Sequence, residues 1–172
     1  MDKTDRYATL PEALRFEPLT NDEKLRRALP GYMKRLGDLY AAIYERFGED
    51  GLDLIREVST GYGTRIANNV KKKGGLQGVA EVGKYVLKVF DMVSDDWRVT
   101  EYSEDRLVIT VDRCPYPLTV REVCHAHTNM EKALVSTLDP ELEHCVGQCI
   151  PGGDPVCEHI IRRKSATASG TD

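Results

Sequence analysis

The sequence predicts an α+β fold in which N-terminal helices pack on a small antiparallel sheet, in the order helices, hairpin, helix, hairpin. Between about residues 30 and 93, apolar residues recur every three or four positions, as in amphipathic helices. After Asp96 the period changes to two, as in half-buried strands, and Gly- and Pro-rich segments separate the elements. The length of 172 residues suits a single domain over 1–164, with an irregular lead at 1–20 and a disordered tail at 165–172.

The first helix is expected to follow a cap at Thr20 or Asn21, since these side chains accept hydrogen bonds from free backbone N–H groups. Pro30 opens its apolar stripe, and Gly48 ends the helix. The inward residues share helical spacing and are Tyr32, Leu36, Leu39, Tyr40, Ile43 and Phe47. This half of the chain is therefore expected to supply scaffold and could supply a dimer surface.

Two further helices are predicted at 49–69 and 76–93, separated by a Gly74-Gly75 pair. Gly61 and Gly63 within the second helix indicate a loosened turn, or a close approach by another backbone or a ligand. The inward stripes consist of Leu52, Ile55, Val58, Tyr62 and Ile66 in the second helix, and of Leu76, Val79, Val82, Val86, Val89, Phe90 and Val93 in the third.

A hairpin is then predicted from strands at 97–103 and 106–113 around a Ser-Glu-Asp turn. Leu107, Ile109 and Val111 should face the helices, and Val108, Thr110 and Asp112 the other side. A fourth helix should be capped by Thr119 and ended by Asp139-Pro140. Its stripe is Val120, Val123, Cys124, His127, Met130 or Glu131, Leu134 and Leu138, while His125 points away.

All thiol and imidazole chemistry is concentrated in one part of the chain, between residues 114 and 159. The five cysteines and four histidines are Cys114, Cys124, Cys145, Cys149, Cys157, His125, His127, His144 and His159. Such confinement is the strongest site signal in the sequence. The spacing lacks the paired C-x-x-C knuckles of a zinc finger.

A second hairpin is predicted from strands at 143–150 and 156–162 joined by the loop 151–155. In an undistorted register Cys149 lies opposite Cys157, close enough for a shared metal or, with adjustment, a disulfide. Alternation of side chains adds two residues to that face, so the candidate metal ligands for Zn or Fe are Cys145, Cys149, Cys157 and His159. A bulge at the two loop glycines would break this register.

The fourth helix offers a second constellation, because Cys124 and His127 are three residues apart and share a face. An imidazole can take the thiol proton and activate the sulfur as a nucleophile. The alternative is that both residues are core filler, since free Cys is often buried. Asp154 is either a turn former or a carboxylate near Cys157 that orients an imidazole or the substrate.

Composition excludes several function classes. The formal net charge of −4 gives no electrostatic footprint for nucleic acid. There is no apolar stretch of about 20 residues for a membrane span, and the N-terminus resembles neither a signal nor a transit peptide, which favours a cytoplasmic protein. No P-loop, dinucleotide fingerprint or GxSxG motif is present, so ATP and NAD are disfavoured.

Four segments of the sequence together resemble the L-2-amino-thiazoline-4-carboxylic acid hydrolase family. They are FGEDGLDLIREVSTGYG at 47–63, Cys114-Pro115-Tyr116, the helix with Cys124, and GGDPVCEHII at 152–161. A weaker similarity runs to the 4-vinyl-reductase small-molecule-binding domains, which also end in a Gly-Asp-x-x-Cys hairpin. The first resemblance implies hydrolytic opening of a cyclic amidine. The family-type positions are Cys114, Cys124, Asp154 and Cys157, whereas Cys145 and Cys149 are additions of this sequence.

The resemblance implies that Cys124 attacks the ring carbon or, in a variant, helps to hold a metal whose bound water attacks. It also implies that His127 shuttles the proton and that Cys114 and Cys157 line or complete the site. Tyr62 and Tyr116 are expected to border the substrate pocket. The expected function is thus a cytoplasmic small-molecule hydrolase that requires no cofactor, binds no nucleic acid or membrane, and could form a homodimer. Two alternatives stay open: a non-catalytic small-molecule-binding domain that senses redox state or holds Zn or Fe, and an interaction module whose thiols are core filler.

Overall fold

A computed structural model of the chain describes residues 11–165, except 15, 16, 18 and 95. The predicted tail lies outside the described residues apart from Ser165, and so do about two thirds of the residues of the predicted lead. The chain divides into two compact units, residues 1–32 and 33–172. The single domain over 1–164 stays a prediction.

The first unit contains a short 3₁₀ turn at Glu12–Leu14 and the beginning of helix α1 (Asn21–Phe47). A capping box starts the helix. Thr20 Oγ1 accepts the Glu23 backbone N–H at 3.2 Å, and the Glu23 carboxylate accepts the Thr20 N–H at 2.8 Å. These two bonds confirm the predicted cap. The Thr20 N–H and the Thr20 hydroxyl both donate to the Glu23 carboxylate and hold the pKa of that carboxyl below its usual value. Pro30 lies inside the helix and does not end it.

The second unit contains the rest of α1 and four more helices. They are α2 (Glu49–Lys71), α3 (Gly78–Asp91), α4 (Arg121–His127) and α5 (Asn129–Leu138). The single helix predicted from Thr119 to Asp139 is wrong in two details. Val120 occupies the N-cap position, and at Thr128 the backbone turns to φ −68° and ψ 0°, which separates α4 from α5. Asp139 ends α5 as predicted.

The sheet has four antiparallel strands in the order β1-β2-β4-β3. They are β1 (Trp97–Tyr102), β2 (Arg106–Val111), β3 (Leu142–Val146) and β4 (Cys157–Arg163). Two hairpin-like pairs therefore meet along β2 and β4, with Ile109 opposite His159 and Val111 opposite Cys157. Helices on a small antiparallel sheet confirm the predicted α+β class.

The core joins the sheet to α2, α3 and α5. Leu107, Ile109 and Val111 face it as predicted. The stripe predicted on α2 is partly wrong, because Val58 and Tyr62 are about half exposed. The packed face instead runs through smaller residues one helical turn apart, namely Ser59, Gly63 and Ala67.

Gly63 explains this shift. A Cβ atom there would collide with the backbone carbonyl of Met130 on α5. The glycine thus allows α2 and α5 to approach more closely than larger side chains would permit. Close approach by another backbone was one of the alternatives predicted for this glycine. Across the described part of the chain, no helix combines the length and the apolar character needed to cross a bilayer.

Candidate functional site

A small cavity of about 50 Å³ lies in the second unit, between the end of α3, the segment 114–118, helices α4 and α5, and β4. Its walls are mostly apolar and include Val89, Phe90, Val93, Val111, Leu118 and Met130. Its polar lining consists of Cys114, Tyr116, Cys124, His127, Thr128, Glu131, Cys157 and His159. Most of the chemistry-bearing residues of the C-terminal part of the chain thus meet around one cavity.

Helical spacing brings three of these side chains to the same side. His127 follows Cys124 by three residues, and Glu131 follows His127 by four, so they lie on adjacent turns of one face even across the break at Thr128. All three residues are buried, whereas His125 is exposed, as predicted. The sequence left open whether Met130 or Glu131 faces inward, and in the structure Glu131 is the more buried of the two.

Glu131 is the most unusual residue of the cavity. It is 7% exposed, and its Oε2 atom has no hydrogen-bond partner. Burial raises the pKa of this carboxyl to about 7, because the charged form loses its hydration. Sequence reasoning did not assign it a role, although a Glu on an apolar stripe, one turn after a His, was a signal.

His127 also lacks partners. Neither of its buried ring nitrogens has a hydrogen bond. Its ring lies against Tyr116, with centroids 4.4 Å apart, and near Tyr40, at 5.7 Å. Burial lowers the pKa of His127 to about 4, so the ring is neutral at physiological pH and can offer one donor and one acceptor.

The predicted Cys124 and His127 pair is therefore not assembled as a dyad. Both side chains line the cavity, but neither ring nitrogen of His127 has a hydrogen-bond partner, so the imidazole does not hold the thiol of Cys124. Burial, followed by the neighbouring thiol of Cys149, raises the pKa of Cys124. The geometry does not prepare this sulfur as a thiolate.

Four of the five cysteines nevertheless gather in this region. Cys114, Cys149 and Cys157 all lie close enough to Cys124 to raise its pKa. The Ile150 backbone N–H donates to Cys157 Sγ at 3.2 Å, but burial outweighs this bond and raises the pKa of that thiol to about 11. The thiols of this cluster are mostly buried, and burial raises the pKa of two of them, Cys124 and Cys157.

The predicted metal-binding face is wrong. Cys145 pairs with Ile160 and Val146 with His159, one position away from the expected register. A one-residue slip reverses the faces of a strand, so Cys145 lies on the opposite side of the sheet from Cys157 and His159. Cys149 lies beyond the end of β3, next to a 3₁₀ turn (Ile150–Gly152), and is not opposite Cys157 in the ladder. Within the described ranges, no three His, Cys, Asp or Glu side chains are grouped to hold a metal.

The observed register brings a different residue, His144, to the side of His159. His144 Nε2 and His159 Nδ1 are 3.1 Å apart, within hydrogen-bonding distance. Burial lowers the pKa of both imidazoles, that of His159 to about 4. Phe90 packs edge-on against His159, with centroids 4.8 Å apart. Of this pair, His159 lines the cavity, and His144 is not part of the lining.

Asp154 has the role of a turn former. Its Oδ2 accepts the Cys149 backbone N–H at 2.7 Å and lies 3.5 Å from Arg121 Nη2. Arg121 also packs over Gly152, where a Cβ would collide with the guanidinium. Asp154 thus positions the loop that carries Cys149 and is not part of the cavity lining. Of the two tyrosines expected at the pocket, Tyr116 lines it, while Tyr62 is half exposed and outside the lining.

Comparisons with known proteins bear on the fold. No protein-family model and no curated protein matches the sequence. One similar structure is subunit 3 of the trafficking protein particle complex from Naegleria fowleri, covalently bound to palmitic acid, with TM-score 0.54, 17% identity, and coverage of 78% of this chain and 96% of that one. Another is the phenol-responsive sensory domain of the transcription activator PoxR with phenol, with TM-score 0.55, 16% identity, and coverage of 76% and 74%. At these identities the similarity shows a shared fold alone.

Proposed function

We propose that this chain is a small-molecule-binding domain that takes a compact, largely apolar ligand into the cavity. The observation that carries the proposal is an apolar cavity lined by two buried side chains with unpaired polar atoms, which are both ring nitrogens of His127 and Oε2 of Glu131. Buried polar groups are nearly always paired, so unpaired ones at a cavity indicate a missing partner.

The two structural neighbours support this proposal. The PoxR domain is described with phenol and the trafficking subunit with palmitic acid, so this fold holds apolar molecules in both proteins. Our proposal also agrees with the weaker sequence similarity to 4-vinyl-reductase small-molecule-binding domains. A cytoplasmic location and a homodimer stay predictions of the sequence.

The size of the cavity limits the ligand. Its volume of about 50 Å³ is roughly one third of the 150 Å³ that accommodates benzene in an engineered protein cavity. A ring-sized ligand therefore requires some rearrangement of the wall. Met130 can provide it, because an unbranched thioether adapts to a new neighbour at small cost.

Hydrolysis of a cyclic amidine is a second proposal, carried by the sequence resemblance. The walls of the cavity offer a thiol, Cys124, and an imidazole, His127, within one pocket. Against it, the pKa of the thiol is raised by burial and the imidazole does not contact it through a hydrogen bond. Binding without chemistry agrees better with this arrangement.

Phenol titration of the full chain tests the proposed function, with amide chemical shifts followed by NMR. We expect saturable shifts around the cavity. Val89→Phe, which fills the cavity from α3, should weaken binding at least about tenfold by steric exclusion. The matched control is Val58→Phe on the exposed face of α2, which should bind as the unaltered chain does. The absence of saturable shifts, or equal binding by both variants, would contradict the proposal.

A further inference from the structure

We propose that the ligand of this cavity is a compact organic cation, an amidinium or primary ammonium on an apolar group, and that Glu131 is its counter-ion. This inference rests on the proposed binding function and specifies the chemistry of the ligand. The observation behind the inference is that Glu131 places one carboxylate in a cavity whose described lining contains no other charged side chain.

No Lys or Arg of the described residues forms an ion pair with Glu131. The ion pairs among the described residues leave it out, and the part of the cavity lining that the structure describes contains neither Lys nor Arg. Lys132 is the neighbouring residue on α5 and acts on the carboxyl only through space. A carboxylate removed from water is costly unless a charge and hydrogen bonds compensate it.

The groups around Glu131 complete a site for a cation. Tyr116 and Phe90 contribute aromatic rings to the lining, and the faces of such rings attract cations. Neutral His127 has a free ring nitrogen that accepts an N–H. An amidinium presents two parallel N–H donors, which match the two oxygens of a carboxylate.

The same features select against other ligands. An anionic ligand would meet Glu131 and no cationic side chain of the described lining. A carboxylate on a thiazoline substrate therefore has no counterpart here, although the amidine part of such a molecule does. A neutral ligand can fill the apolar walls, but it leaves the buried charge of Glu131 without compensation.

A matched pair of probes, benzamidine and benzamide, tests the inference, because they have nearly the same shape and differ in charge. Isothermal titration at pH 8 should show benzamidine binding about 10- to 100-fold more tightly, the range expected for a hydrogen-bonded charge pair. In Glu131→Gln, which keeps the volume of the side chain, this preference should disappear while benzamide binding is kept. Glu122→Gln on the exposed side of α4 is the control and should leave the preference unchanged.

The outcomes separate this inference from the proposed function. Equal affinities for the two probes in the unaltered chain, or a preference that persists in Glu131→Gln, would overturn the cation and leave small-molecule binding intact. If neither probe nor phenol binds at all, both proposals fail. Both proposals are supported if the unaltered chain and Glu122→Gln bind benzamidine more tightly than benzamide while Glu131→Gln shows no such preference.

Discussion

The first turn of α5 has two sides that differ sharply in packing. On one side the carbonyl of Met130 lies so close to Gly63 of α2 that no Cβ fits between them. On the other side, one residue later, Glu131 borders a cavity that no side chain fills, and its Oε2 has no partner. A single turn therefore carries both a contact between two helices that leaves no room for a Cβ and the one carboxyl group of the described cavity lining.

This difference indicates which part of the turn serves the fold and which serves a ligand. Interiors are close-packed, and their buried polar groups are usually paired, because both properties stabilise the native state. The contact at Gly63 is close-packed, as this rule requires. The side with Glu131 departs from it in two ways, because it borders a cavity and has an unpaired buried oxygen. Sites that violate packing and polar pairing together are typical of functional positions, where stability is given up for binding.

The largest expected effect is a gain in stability from Glu131→Gln at high pH. The folded-state pKa of about 7 lies above the ordinary 4.5, so the folded protein binds more protons between these values and its stability falls as pH rises through them. At 1.36 kcal/mol per pH unit, the unaltered chain loses about 3 kcal/mol by pH 8. The glutamine variant does not titrate, so the difference in unfolding free energy should grow from near zero at pH 4.5 to about that value.

Urea unfolding at pH 4.5, 6 and 8 measures this difference. Glu57→Gln on the exposed face of α2 is the control, and its stability should differ little from that of the unaltered chain at every pH. A stability difference for Glu131→Gln that does not change with pH would show that burial does not raise the pKa of the carboxyl. The comparison of the two sides of the turn would then lose its functional meaning.

On the packed side, Gly63→Ala should destabilise the protein by about 2 kcal/mol, because the obstructing atom is a backbone carbonyl that cannot move aside easily. Gly61→Ala, two residues earlier, is the matched control. Its Cβ would meet only the side chain of Arg65, so the higher helix propensity of Ala should stabilise by about 0.5–1 kcal/mol. Thermal unfolding of both variants gives the sign of each change in stability. If both variants were stabilised, or both destabilised, the proposed difference in packing would be contradicted.

Most of the secondary structure could be predicted from the sequence, because apolar period and turn residues determine it locally. The capping box at Thr20 and the stop at Asp139 are examples. The stripe on α2 was misplaced onto Val58 and Tyr62, since periodicity cannot show that two backbones meet at Gly63. Close approach depends on the partner helix, which is distant in sequence.

The site was predicted only in part for a similar reason. Confinement of the cysteines and histidines to residues 114–159 indicated the region in which much of the cavity lining lies, and Cys124, His127, Tyr116 and Cys157 do line the cavity. The short 3₁₀ turn after Cys149 shifted the register by one residue, which exchanged Cys145 for His144 on the cavity side. The position of Glu131 on an apolar stripe was a signal, but its lack of a hydrogen-bond partner depends on residues that are distant in sequence.

The smallest expected effect concerns the thiols and leaves stability unchanged. With iodoacetamide at pH 8, Cys145 should react before Cys124, because Cys145 is half-buried on the far side of the sheet while Cys124 is buried at the cavity and burial raises its pKa. Mass spectrometry of peptides from briefly labelled native protein measures the order. Denatured protein serves as the control, where the two thiols should react alike. Preferential labelling of Cys124 in the native chain would instead indicate an activated nucleophile at the cavity, and would favour the hydrolase over the binding domain.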